Sequence, residues 1–288
     1  MANLKEVKTR INSVINTQQI TKAMKMVAAA KLRRSQDRIL QMRPFARKLS
    51  EILQNLSAAA DEAQWYNTRR EENRVLIVAL SSDRGLCGSF NSNINKAVLS
   101  LLGEKYSAQH RRGDVTVLPI GKKVYEFFSK RKYKVLGEHW NLFHTLTFES
   151  SSAVAEKLMD AFRRGEYDTI VVVYNEFKNV ATQILRTEQF LPLQPLSTPS
   201  KTKTDYIYQP GQSEIMTGMI PKSLRVQLFK ALLDSSASEN GARMTAMDKA
   251  NENAGELLKE LRLTYNRTRQ AAITKEINEI VAGAEALK

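Results

Sequence analysis

Cys87 is the only cysteine in the chain, and it lies in the run Ser81-Ser-Asp-Arg-Gly-Leu-Cys-Gly88, directly after an apolar, β-branched segment. A loop in that position could present a thiolate nucleophile or cradle a phosphate. The run has neither the Gly-x-x-x-x-Gly-Lys-Ser/Thr spacing whose amides wrap phosphates nor the Gly-x-Gly-x-x-Gly turn of dinucleotide sites, so a tight strand-to-helix turn is the better reading. A cysteine nucleophile needs a base, and His110, His139 and His144 stand in no recognisable relation to Cys87, which fits a small buried side chain better. His139 and His144 are five apart, off the spacing that sets two imidazoles on one helix face, and no further ligand pattern accompanies them. Glu71 and Glu72 sit in a charged stretch before a strand and read as a solvated turn. The expectation is a chain with no catalytic residue, no metal and no cofactor of its own.

Charge is the next chemical resource. The chain carries a formal +14, and residues 1–48 hold 12 Lys/Arg against 2 Asp/Glu, whereas residues 49–220 hold 21 against 19 and residues 221–288 hold 11 against 9. One N-terminal segment therefore owns most of the net charge. Such a segment suits nucleic acid, anionic lipid or an acidic protein surface, and charge alone does not choose between them. Helix-turn-helix spacing, zinc fingers and RNP aromatics are missing, which argues against nucleic acid. The two rival classes to be kept in view are a basic coiled-coil nucleic-acid binder and a stand-alone α/β enzyme using Asp83–Gly88.

The elements that must position these residues follow from composition and period. With 288 residues, 42% of them apolar, the chain can bury a core of one large domain or two ordinary ones. No apolar run approaches the roughly 18 residues of a membrane span, the basic start is not followed by a signal-peptide core, and one cysteine excludes an internal disulfide framework. A soluble protein of a reducing compartment is expected. From Leu4 to Arg43 there is neither Gly nor Pro, and Leu4, Val7, Ile11 and Val14 step 3, 4, 3, the inward stripe of a coiled coil. Helix is expected to about Ala58, bent or loosened at Pro44. A second long helix runs from an N-cap at Ser213 through a kink at Pro221 to Leu287, with packing needed to support Gly241, Gly255 and Gly283. Its end carries a stripe at Ile273, Ile277, Ile280, Ala284 and Leu287, stepping 4, 3, 4, 3.

Between these helices, residues 74–80, 115–120 and 169–174 read as buried strands, alternating with helices near 93–102, 122–130 and 151–164. That is an α/β layer with a largely parallel sheet. Gln183–Leu191 and Asp205–Tyr208 are candidate further strands, and Pro192 to Thr204 a loop. The simplest assembly is an antiparallel coiled coil of the terminal helices with the middle inserted at one end, divided as 1–58, 59–209 and 210–288. At about 1.5 Å per residue the C-terminal helix spans roughly 98 Å from Pro221 and the N-terminal one roughly 62 Å, leaving about 24 residues to overhang as a lone helix. A bare apolar stripe there must lie inside something.

Three segments together resemble one family. Arg10-Ile-Asn-Ser-Val-Ile-Asn-Thr-Gln-Gln-Ile-Thr-Lys-Ala-Met-Lys-Met-Val-Ala-Ala-Ala-Lys31 is similar to the opening helix of the gamma subunits of rotary F-type ATP synthases. Ser82-Asp-Arg-Gly-Leu-Cys-Gly88 is similar to that family's central motif. Ala242-Arg-Met-Thr-Ala-Met247 and the run Tyr265–Ala284 are similar to its C-terminal segment. The resemblance implies α/β with long helices, namely an antiparallel coiled coil of N- and C-terminal helices plus a central Rossmann-like α/β domain. It implies a rotor shaft that couples c-ring rotation to catalysis on a hexamer of alpha and beta subunits, with the epsilon subunit and c-ring as further partners, no catalysis by the chain itself, and attachment to the membrane through the Fo sector. Motif positions carried across give contacts to the alpha and beta subunits at Lys22, Met24, Arg243, Arg269, Gln270, Thr274 and Glu276. They give a bearing tip at Ile273, Ile277, Ile280, Ala284 and Leu287, and a c-ring foot at Asp205, Tyr206, Tyr208 and Gln209, where Gln209 stands in place of the family's usual acid. The cysteine-bearing insertion of chloroplast members is missing, so thiol regulation of that kind is not expected. The implied location is the cytoplasmic face of a bacterial plasma membrane, the alternative being the matrix side of the mitochondrial inner membrane.

Overall fold

The computed structural model describes residues 4–57, 65–67, 70–193 and 212–286. In chain order the elements are α1 (Leu4–Ser57), β1 (Val75–Leu80), α2 (Phe90–Ser100), α3 (Ser107–Arg112), β2 (Val115–Ile120), α4 (Lys122–Lys130), α5 (Phe148–Arg163), β3 (Thr169–Phe177), β4 (Gln183–Leu191) and α6 (Gln212–Glu285). A π-turn, Leu101–Lys105, follows α2. Both long helices run through their prolines, Pro44 and Pro221, without interruption. Proline's fixed φ is helical, and the loss is confined to one ladder bond and local crowding. Ser213 lies inside α6 rather than capping it. The expected strand at Asp205–Tyr208, and with it the foot residues Asp205, Tyr206, Tyr208 and Gln209, falls outside the described residues, as does Leu287.

The chain divides into two compact units, one of Met1–Ala28 with Met244–Lys288 and the other Ala29–Arg243. In the first, α1 and α6 run antiparallel. Lys25 pairs with Asp248, and Gln18 lies against Gly255, so a step back along α1 is a step forward along α6. The seam of α1 here is Leu4, Val7, Ile11, Val14, Gln18, Thr21, Lys25 and Ala28, each buried or half-buried, in an unbroken 3, 4 alternation. The facing stripe is Met247, Asn251, Ala254, Leu258, Leu261, Tyr265, Thr268 and Ala272, stepping 4, 3 throughout. This register sets Leu4 level with Arg269, and from Ile273 to the end of α6 at Glu285 every residue is exposed. The overhang is therefore shorter than the arithmetic of lengths suggests, because register is a property of the pair and not of either helix.

The second unit is built on a sheet of order β2-β1-β3-β4. The first three strands are parallel and β4 pairs antiparallel with β3. Successive residues of a strand point to opposite faces, and both faces here are covered, as parallel strands require. Leu76, Val78 and Leu80 join a cluster with Val154, Leu158 and Phe162 of α5, Leu224, Leu228 and Leu232 of α6, and Leu49 of α1. Val75, Ile77 and Ala79 face Ile94 and Val98 of α2 and Val124 and Phe128 of α4. α5 starts at a reciprocal cap, in which the Ser150 amide donates to Thr147 Oγ1 and the Thr147 amide donates to Ser150 Oγ. Of the helix glycines, Gly241 lies close to Phe177 and Gly255 to Gln18, as the need for packing support anticipated. Gly283 has nothing near it and is a plain weak point in an exposed helix end.

Gly121, between β2 and α4, has φ +112°, and a Cβ there would lie 2.2 Å from the Ser81 carbonyl oxygen. Gly113 also has positive φ, +80°, but open space around it. Gly121→Ala should therefore lower stability by at least ~3 kcal/mol, from strain plus backbone collision, and Gly113→Ala by only ~1–2 kcal/mol. Urea midpoints of the two variants check the difference, and equal losses would contradict it.

Candidate functional site

The loop between β1 and α2 closes on itself. The Ser82 amide donates to Asn91 Oδ1 at 3.0 Å, Asn91 Nδ2 donates to Ser82 Oγ at 2.7 Å, and Ser82 Oγ donates to the Arg84 carbonyl at 2.7 Å. Asn91 Nδ2 also reaches Cys87 Sγ at 3.2 Å. Asp83 accepts from the Lys122 amide at the start of α4, and Ser81 Oγ accepts from the Val124 amide. Cys87 is 1% exposed, and burial pushes its thiol up, the reverse of what activates a nucleophile. The geometry is that of a tight, internally satisfied turn. Outward it presents Arg84 and Leu86, the latter 65% exposed and held at φ +63°.

Arg243 braces this turn from α6. Its guanidinium bonds Glu239 at 2.6 Å, one turn back on the same helix, and donates to the carbonyls of Arg84 and Gly85 at 3.1 and 3.3 Å. The side chains of the pair are 12% and 16% exposed. Burial pushes the Glu239 carboxyl up and Arg243 pulls it back. Motif matching assigned Arg243 to contact with other subunits. The structure spends its charge inside the chain, on loop carbonyls that sequence alone does not bring near it. The i, i+4 spacing of Glu239 and Arg243 was the legible half of this arrangement, and Asn91 gave no signal.

The other assigned contact residues lie in the first unit. Lys22 is exposed and Met24 half-buried on α1, while Arg269, Gln270, Thr274 and Glu276 are exposed on α6. Thr274 Oγ1 bonds the Gln270 carbonyl at 2.9 Å, and the four α6 residues otherwise face outward. The stripe Ile273, Ile277, Ile280 and Ala284 is exposed throughout, with Ile280 at 71%. The seam of the pair runs through Tyr265, Thr268 and Ala272 and ends before this stripe begins.

Asp234 on α6 was not singled out by any motif. It is 1% exposed, and its Oδ1 has no hydrogen-bond partner among the described residues. Burial pushes its carboxyl up to about 6 from an ordinary 3.8, Glu176 and Glu188 push the same way, and Lys230 and Arg43 pull against them. The native state thus binds this proton more tightly than the unfolded chain. Its stabilising contribution is complete below 3.8 and is lost as pH rises to about 6.

Two outcomes follow for these buried charges. Asp234→Asn should raise the denaturation midpoint above pH 6, by an equivalent of about 3 kcal/mol, and leave it nearly unchanged at acid pH below the ordinary carboxylate value. Arg243→Ala strands a buried carboxylate and should cost about 3–5 kcal/mol. It should also speed the reaction of Cys87 with a thiol reagent, since the loop loses its brace. Arg243→Ala with wild-type stability and labelling would remove the bracing role.

A family model described as ATP synthase matches residues 3–287. The ATP synthase gamma chain of Cytophaga hutchinsonii is 56% identical over 100% of this chain and 99% of its own length, and that of Flavobacterium johnsoniae is 54% identical over 100% and 99%. A solved structure of the central stalk and c-ring of Tetrahymena thermophila mitochondrial ATP synthase contains a chain 27% identical, with a TM-score of 0.57 over 80% of this chain and 99% of that one. A chain in the OSCP, F1 and c-ring structure of Euglena gracilis mitochondrial ATP synthase has a TM-score of 0.72 over 99% and 94% at 21% identity, a likeness of fold. With a match running nearly end to end and identity above half, the chain belongs to the ATP synthase gamma chain family.

Proposed function

We propose that this chain is the central rotor shaft of an F-type ATP synthase, coupling ion-driven rotation of a c-ring to ATP synthesis or hydrolysis in a hexamer of alpha and beta subunits. The observation that carries this reading is the end of α6, where Ile273, Ile277, Ile280 and Val281 are 48–71% exposed on a helix that has left its partner. An apolar helix end of that kind needs a sleeve. Dispersion contacts are individually weak and carry little orientation, which suits a bearing.

The mechanism is conformational. Two antiparallel helices of different sequence present a different face in each direction, so three otherwise equivalent catalytic subunits each meet a different surface. Each adopts the conformation that its own contact favours, and rotation exchanges them. The chain couples and the beta subunits catalyse. Lys22, Met24, Arg269, Gln270, Thr274 and Glu276 supply outward, angle-dependent contacts to alpha and beta subunits. Arg243 is assigned a further contact to the same subunits, and within its own unit it shapes the loop that carries Leu86. The working division is 1–58 and 210–288 for the shaft and 59–209 for the body that meets the epsilon subunit and, through Asp205, Tyr206, Tyr208 and Gln209, the c-ring. Among the described residues no helix is long and apolar enough to cross a membrane. Attachment through the Fo sector, on the cytoplasmic face of a bacterial plasma membrane, is the arrangement this reading requires.

A tag inserted at Pro195–Lys203, used to recover the chain from mild-detergent membranes, should bring down two larger chains in threefold excess together with ATP hydrolysis. A lone chain, or one eluting with nucleic acid at high salt, would overturn the shaft. Ile277→Asp should impair assembly or coupling of proton pumping to hydrolysis far more than Lys288→Ala does, and equal, negligible effects would count against the sleeve.

A further inference from the structure

The three parallel strands begin side by side, Val75 opposite both Val115 and Thr169. The turns leading into them share one rim of the second unit. Four cations on this rim are matched by acids, Arg74 with Asp168 at 3.5 Å, Arg112 with Asp114 at 3.6 Å, Arg163 with Asp160 at 3.0 Å and Arg164 with Glu166 at 3.0 Å, while Arg111 stands exposed without an ion pair among the described residues. The turn after α4 lies on the same rim, because Val117 of β2 accepts from the Leu136 amide and donates to the Lys134 carbonyl, in a parallel bridge. That turn is different. Lys130, Arg131, Lys132 and Lys134 are all exposed, and none makes an ion pair among the described residues, although Lys130 helps Lys123 and Lys122 hold the Glu126 carboxyl low.

The turn is also rigid, and it is built around its cations. The Arg131 amide donates to the Phe128 carbonyl, that of Lys132 to Ser129 and that of Tyr133 to Phe128. The Arg131 guanidinium lies 3.7 Å over the Phe127 ring, and Tyr133 stacks on His110 at 5.5 Å. Both rings are thereby covered. Lys132 has φ +58°. In the neighbouring rim turns the left-handed position is filled by Gly113 and Gly165, the residue type that adopts it without steric penalty. Here a lysine holds it, which keeps a cation at the tip.

We propose that this turn is a docking surface for anionic phospholipid headgroups. A protein interface is normally anchored by an exposed aromatic or apolar residue, whereas the exposed side chains of this tip are cations and its rings are engaged by Arg131 and His110. Base stacking, the usual partner of basic patches in single-strand binding, lacks a free ring for the same reason. A cluster of long, flexible lysines around one flat guanidinium suits a planar array of phosphates, with attraction that fades over a Debye length. The inference rests on the turn alone and stands whether or not the shaft reading does.

The test uses the full-length chain and vesicles of phosphatidylglycerol in phosphatidylcholine, with pure phosphatidylcholine vesicles as reference. Replacing Lys130, Lys132 and Lys134 by Gln should lower affinity for the anionic vesicles roughly 100-fold, each lysine near such a surface contributing about 1 kcal/mol, and wild-type binding should weaken steeply with salt. Replacing Lys8, Lys31 and Arg34 of α1 by Gln removes the same charge and should cost far less. A larger loss from the α1 variant, or equal binding to uncharged vesicles, would overturn the proposal. Lys132→Cys carrying an environment-sensitive dye reports the contact directly, since Cys87 is buried. The dye should shift on adding anionic vesicles. A silent dye on vesicle-bound chain, or a cross-link from position 132 to a protein in the assembled enzyme, would equally refute lipid docking.

Discussion

Coverage of one seam is the constraint on which the first unit depends. Along α1 the positions Leu4, Val7, Ile11, Val14, Gln18, Thr21, Lys25 and Ala28 all turn inward, but only the ends of that series are apolar. Polar seam residues weaken a two-helix contact and in exchange specify its register. Lys25 with Asp248 illustrates the point: the side chains are 40% and 46% exposed, so the pair contributes little stability. It does penalise any slipped register that would leave Lys25 against Leu258 or Ala254. The register in turn determines where α1 ends relative to α6, and thus which apolar residues of α6 are left uncovered.

In the second unit the same helix solves a different problem. α6 packs close to β3 and its exit because Ala237, Ser238 and Gly241 are small: Ser238 Oγ donates to the Asn175 carbonyl at 2.9 Å, and Gly241 approaches Phe177. That close approach buries Asp234 and Glu239, which a looser packing would leave in water. One of these acids finds Arg243 and the other does not. The outcome is a helix braced at one point by a charge pair and, a turn or two earlier, made sensitive to pH by an orphaned carboxyl. Buried charge is poor evidence of stability, and in this protein its clear structural service is to hold the Ser82–Gly88 turn.

Electrostatics works at two ranges here. The excess of cations in residues 1–48 is a long-range property that steers association and screens with salt. The ion pairs of the sheet rim are short-range and mostly exposed, and their effect is to neutralise rather than to stabilise. Beside those matched pairs the turn at Lys130–Lys134 gathers four exposed cations in five residues, a concentration whose meaning depends on its neighbours' partners.

Much of the architecture was legible in the chain itself. The 3, 4 steps at Leu4–Val14 disclosed a coiled-coil helix, the runs at 74–80, 115–120 and 169–174 disclosed buried parallel strands, and the motif segments disclosed the family. These are properties of neighbouring residues, and periodicity or composition carries them without reference to anything distant. The seam beyond Val14 was hidden because it turns polar, and the stripe by which α6 faces α1 was hidden because Asn251, Tyr265 and Thr268 interrupt its apolar steps, whereas the more apolar Ile273, Ile277 and Ile280 lie on the exposed overhang. The inward commitment of Arg243, the burial of Asp234 and the unpaired state of Lys132 and Lys134 belonged to tertiary structure alone. Each depends on which residue from a remote stretch lies opposite, and no one-dimensional pattern encodes that distance.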